Sequence, residues 1–210
     1  MDVSIKNIYT IKGTLALFLL TMLMALIQEV YGVEKLNSIF GVLPNEILSL
    51  RILSLDKNHI PALFKLITYL FFHGGLWHVI PNMTAFLLFG MMIEKKVGTS
   101  HFIGLYFLFG IIGVYAVAVV NPNTNIPITG ASVAISGLVG FFVAYNLKGK
   151  IPNFKVLTIA IEFGFLLCLT FYFLTRTINL QPGLKDSIVY HFIPMFSGWL
   201  FYRYLFAVLF

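Results

Sequence analysis

"HGGLWHVIPNMTAFLLFGMMI", residues 73–93, joins two unlike halves. Its front holds His73, His78 and Asn82, and its back is an almost unbroken apolar run. A spanning helix needs roughly 20 mostly apolar residues, which this stretch supplies. Imidazole and amide groups are costly inside hydrocarbon and usually face the protein interior or water. The stretch therefore reads as a membrane-spanning helix with polar chemistry at its mouth. His78 and Asn82 are four apart and share one helix face.

The rest of the chain agrees with a lipid environment. Of its 210 residues 59% are hydrophobic and 10% charged, where a soluble domain carries about 25% charged. A polytopic membrane protein with one domain, residues 1–210, is the expectation. Cys168 is the lone cysteine, which excludes an intrachain disulfide and a cysteine metal cluster. The net charge of +6 is spread as lysines between apolar runs, a pattern for membrane orientation rather than nucleic acid. No small-residue cleavage site follows the first apolar run, so that run reads as a retained anchor.

Six spans are expected, at about 13–33, 74–93, 101–121, 131–147, 155–174 and 188–209. Between the first two lies a long mixed-charge loop with interfacial amphipathic pieces such as "IPALFKLITYLFF". Lys6 and Lys12, Lys95 and Lys96, and the Lys148, Lys150 and Lys155 group all fall on one side of this arrangement. The loop "VNPNTNIPITG" on the other side has no charge. The positive-inside rule then places both termini in the cytoplasm. Spans two, four and six enter from the outer side, so their first turns lie at similar depth.

Those three first turns hold the reactive groups. The second span brings His78 and Asn82. The fourth opens with "GASVAISG", which places Ser132 in its first turn, and the sixth brings His191. A serine hydroxyl becomes nucleophilic when a base takes its proton, and histidine is the usual base. Ser132 and His191 are thus a candidate catalytic dyad, with His78 and Asn82 as donors for an oxyanion. Ser132, Ser136 and Gly140 recur at four-residue spacing, Gly137 adds to the small face, and Gly198 lies on the His191 side of the last span. Small residues so placed let helix backbones approach closely in lipid. A metal is not expected. His73 and His78 would lie about 140° apart around a helix, and the metalloprotease spacing HExxH is absent.

The pattern His73-x4-His78-x3-Asn82, then Gly130-x-Ser132, then a histidine opening the last span, resembles the rhomboid intramembrane serine proteases. "LITYLFFHGG", Glu94 with Gly98 and Tyr106, and Phe64–Lys65 in place of the family's frequent Trp-Arg are similar features. The resemblance covers about residues 60–200. It implies an all-α, six-transmembrane-helix rhomboid-like bundle with a long interfacial first loop. It implies an endopeptidase that cleaves transmembrane protein substrates near the outer side of the membrane, without a cofactor. Ser132 matches the nucleophile and His191 the base; His78 and Asn82 match the oxyanion side chains, helped by the Ser132 N–H. His73 matches a structural position, and Gly130, Gly137 and Gly198 are supporting residues. The fifth span and the loop "TRTINLQPGLKDS" would form the substrate gate and cap. A minimal six-span chain resembles prokaryotic members and implies a bacterial-type inner membrane.

Three positions depart from the family pattern. Val133 stands where most members have glycine, and its branched side chain would crowd the substrate carbonyl. Ser136 stands where many members stack an aromatic on the catalytic histidine. Pro194 replaces a glycine three after that histidine, against close packing of spans four and six. Two competing readings follow. One is a catalytically inactive rhomboid-like protein that binds transmembrane helices as an adaptor or quality-control factor. The other is a small transporter that uses Glu162 in the fifth span and the histidines as a proton relay; no inverted repeat encourages it.

Overall fold

The computed structural model describes residues 11–48, 62–147 and 184–206. Among them the chain is helical, with one isolated backbone bridge, Val42 to Ile128, and no strand. The fifth span, Glu162, Cys168, Lys6, the Lys148–Lys155 group and most of the loop ahead of the sixth span lie outside the described residues.

Helix α1 (Lys12–Tyr31) is apolar along most of its length and stops at Gly32. Ile11 before it has no side chain to cap the first turn. The cap comes instead from Glu94, which accepts from Gly13 N (2.8 Å), Thr14 N (2.7 Å) and Thr14 Oγ1 (2.7 Å), and from Thr99 Oγ1 (2.6 Å). Free N–H groups at a helix start carry partial positive charge, and a carboxylate satisfies both needs. Helix α1 is thereby fastened to the end of α5 (Leu76–Val97) and the start of α6 (Thr99–Val120).

The first loop folds into three short helices, α2 (Val33–Phe40), α3 (Pro44–Leu48) and α4 (Ala62–Thr68), and a single 3₁₀ turn, Tyr69–Phe71. Glu46 accepts from Leu43 N (3.0 Å) at the head of α3, and its other oxygen takes Lys65 Nζ (2.8 Å) from α4. Lys65 is buried while Leu63, Phe64 and Ile67 of the same helix are exposed. That is the amphipathic pattern of an element lying along a membrane surface. Tyr69 is fully buried and donates its hydroxyl to the carbonyl of Gly110 (2.7 Å), locking the loop to α6.

Helix α6 is the centre of the molecule: it packs against α1, α3, α4, α5, α7 (Ser132–Leu147) and α8 (Leu184–Phe201). Three described helices, α1, α5 and α6, are long and apolar enough to cross a membrane, and α7 is a shorter apolar helix of 16 residues. Helix α8 begins at Leu184, so Lys185 and Asp186 fall inside it rather than in the preceding loop; it ends in a π turn, Tyr202–Phe206. Helices α7 and α8 meet backbone to backbone. A Cβ on Gly140 would run into the carbonyl of Met195, and one on Gly198 into the carbonyl of Gly137. Pro194, buried in α8, does not keep the two helices apart.

Candidate functional site

The segment before α7 is held by three backbone contacts. Gly130 has φ +111, a conformation that L side chains rarely adopt, and donates its N–H to Tyr69 O (2.9 Å). Ala131 donates its N–H to His73 Nε2 (3.3 Å). Ser132 then opens the helix. The first N–H groups of a helix have no intrahelical acceptor, so those of Ser132 and Val133 face forward as donors.

His73 is itself gripped from α1. Gln28 pairs with the backbone of residue 73 like a neighbouring strand: its Oε1 accepts from His73 N (2.9 Å) and its Nε2 donates to His73 O (2.9 Å). Asn37 adds a second donor to the same carbonyl (3.1 Å) and accepts from Gln28 (2.8 Å). The His73 imidazole is 1% exposed. Burial first, and the neighbouring His78 second, lower its pKa from 6.5 to about 3. It is a neutral acceptor for Ala131 at ordinary pH.

His73 and His78 were expected to point apart, on the assumption that both sit on one helix. His73 lies before α5, in the chain that folds back over it, and the two rings meet edge to face at 5.1 Å. The Nδ1 of His78 accepts from Gly74 N (3.2 Å). A neutral imidazole has one acceptor and one donor nitrogen, so the hydrogen sits on Nε2. That nitrogen lies against Gly130: a Cβ there would be 3.2 Å from it. Asn82 is one turn further along α5, and its Nδ2 is buried with no acceptor among the described residues.

A cleft of about 380 Å³ opens in front of Ser132, with His78, Gly130, Val133, Tyr190, His191 and the 121–129 loop as its walls. Ser132, His191 and His78 therefore share one space, and Asn82 stands outside its wall. No hydrogen bond joins Ser132 to His191. The His191 Nδ1 lies instead 3.3 Å from Ser136 Oγ, one turn along α7. Among the described residues no cluster of three or more His, Cys, Asp or Glu comes together.

Val133 borders the cleft, but its side chain is buried at 4% exposure against α6. A Cβ on Gly113 would sit 2.6 Å from Val133 Cβ and 3.2 Å from Pro194 Cγ. The missing side chain of Gly113 thus makes room for both bulky residues. Sequence reasoning weighed Val133 and Pro194 alone and missed this notch. It also missed Gln28, although an amide inside an apolar run is itself a signal of a buried polar partner.

A family model for the rhomboid domain matches residues 61–208. The chain is 30% identical over 112 residues to Inactive RHOMBOID-like protein 8 of Arabidopsis thaliana, covering 52% of this chain and 30% of that protein. It is 31% identical over 114 residues to Rhomboid-related protein 3 of Homo sapiens, covering 52% and 27%. Over 80 residues it is 34% identical to YdcA of Bacillus subtilis (strain 168), a candidate rhomboid protease, covering 38% and 40%. The chain matches less than half the length of each of these relatives.

Proposed function

The chain belongs to the rhomboid family, a polytopic helical membrane fold, and on that premise we propose that it is an intramembrane serine endopeptidase. Its substrates are transmembrane segments of other membrane proteins. The observation that carries the proposal is the common cleft of Ser132, His191 and His78, drawn from three helices far apart in sequence.

In this reading Ser132 Oγ attacks the scissile carbonyl carbon while its proton passes to His191 Nε2. The oxyanion takes hydrogen bonds from His78 Nε2–H, Asn82 Nδ2–H and the Ser132 N–H. His191 then protonates the leaving amine, and water hydrolyses the acyl-enzyme. Two local features support these roles. Gly74 forces the donor hydrogen of His78 onto Nε2. The Nδ2 of Asn82 is buried without an acceptor, an arrangement that costs about 1–3 kcal/mol until a partner arrives. The open Ser132–His191 contact fits an unliganded site, where catalytic hydrogen bonds are often long and tighten with substrate.

We place six spans in the membrane, both termini in the cytoplasm, and the cleft towards the outer side of a bacterial-type inner membrane. The lysine distribution supports that orientation.

A second reading is a catalytically inactive family member that binds transmembrane helices. It draws on the same open contact, with His191 turned to Ser136 rather than Ser132, and on a relative named as inactive. The two readings part on one experiment. Purified protein is exposed to a fluorescent fluorophosphonate and, in liposomes, to a model transmembrane substrate. The protease labels and cleaves; Ser132→Ala and His191→Ala do neither. His78→Ala and Asn82→Ala each lose roughly 10²- to 10³-fold in kcat. Folded wild-type protein that neither labels nor cleaves belongs to the second reading.

A further inference from the structure

We infer that Ser136 is a positioning residue that holds His191 in the tautomer a general base requires. The inference rests on the Ser132–His191 chemistry proposed above.

Ser136 stands one turn after Ser132 on α7. Its Oγ is 2.9 Å from the carbonyl of Ser132 and 3.3 Å from His191 Nδ1. A hydroxyl has one hydrogen to give and lone pairs to receive with. The carbonyl can only accept, and it is the nearer partner, so the hydroxyl hydrogen goes to it. The face of Oγ towards His191 is then a lone pair, and the imidazole must present a hydrogen there. Nδ1 is the protonated nitrogen, and Nε2 has a free lone pair.

That polarity is the one catalysis needs. When Ser132 gives up its proton, Nε2 receives it and the ring becomes an imidazolium. The Nδ1–H stays bonded to Ser136 throughout, and Nε2 later hands its proton to the leaving amine. The opposite tautomer has a hydrogen on Nε2 and cannot accept. In serine hydrolases of the triad type a carboxylate fixes this choice. No Asp or Glu is among the described residues that line this cleft. A neutral hydroxyl, anchored to the carbonyl of the nucleophile itself, takes that part here. The aromatic side chain usual at this position could stack on the ring but could not select a nitrogen.

The test reads the ring directly. Histidine ring nitrogens are labelled with ¹⁵N in the full-length protein in bicelles, and His191→Asn identifies the His191 signals. The neutral wild-type ring is expected as the Nδ1–H form. Ser136→Ala moves it towards the Nε2–H form that free imidazole prefers in water, and Ser136→Thr restores Nδ1–H. Fluorophosphonate labelling follows the same order, falling roughly 10- to 100-fold in Ser136→Ala, at the low end of acid–base contributions, and recovering in Ser136→Thr. An Nε2–H ring in the wild type, or a tautomer indifferent to Ser136→Ala, overturns the inference and leaves the protease reading intact. A tautomer that responds as expected in a wild type that never labels or cleaves supports the inference and sinks the protease reading.

Discussion

Helix α7 is held on its two sides by opposite means. On the first-loop side its entry hangs from polar contacts: Tyr69 O takes the N–H of Gly130, His73 takes that of Ala131, and Gln28 grips His73 through both backbone groups. On the α6 and α8 side there is bare steric fit. Gly137, Gly140 and Gly198 let α7 and α8 touch through their backbones, and Gly113 hollows α6 for Val133 and Pro194. The difference follows from lipid as a solvent. Apolar helices gain little by leaving it for one another, so they associate through close packing or through hydrogen bonds. The packed side fixes where the helix runs. The bonded side fixes where Ser132 begins it.

Three substitutions test this division, from the largest effect to the smallest. Gly140→Val drives a side chain into the carbonyl of Met195, where neither backbone can retreat. We expect a loss above about 4 kcal/mol, in the range of exceptional single substitutions, seen as failure to recover monodisperse protein and loss of labelling. Stable, active Gly140→Val protein would mean that α7 and α8 are not in backbone contact.

The polar side should yield more gradually. Gln28→Ala leaves the N–H of His73 without its acceptor, a cost of about 1–3 kcal/mol. Calorimetry in detergent should report it as a lowered unfolding midpoint. The same side carries a pH signature. His73 has its folded pKa lowered from 6.5 to about 3, so between those values the unfolded state binds more protons. Its contribution to stability is complete above pH 6.5 and declines as pH falls towards 3. Between pH 7 and pH 5 the His73-dependent part of the stability should drop by about 2 kcal/mol. The slope should shrink in His73→Gln by that amount; an unchanged slope would show that His73 is not buried as a neutral acceptor.

The smallest effect belongs to Val133. If its methyl groups fill the Gly113 notch rather than the cleft, Val133→Ala costs about 1–2 kcal/mol, at about 0.8 kcal/mol for each buried carbon. The labelling rate should stay within about twofold, since acid–base and oxyanion groups are untouched. A large gain in labelling would instead restore the expectation that Val133 obstructs the substrate carbonyl.

The membrane character, the apolar helices and the polar groups at their first turns were legible in the chain itself. Composition and run length decide transfer into lipid, and Ser132, His191 and His78 stand out because polar groups are rare there. The errors came where one residue was weighed without its neighbour. Val133 looked obstructive until Gly113 was set beside it, and His73 and His78 looked divergent because one helix was assumed for both. Gln28 went unnoticed because its partner is a backbone group 45 residues away. By itself, then, the sequence determined that this chain enters a membrane, and which few residues there could do chemistry. Only the tertiary structure decided which nitrogen of His78 carries its hydrogen, that His191 meets Ser136 across 55 residues, and how α7 is seated. Lipid partitioning reads each residue nearly alone, whereas a hydrogen-bonded tautomer and a backbone contact depend on the rotation and approach of helices that the chain places far apart.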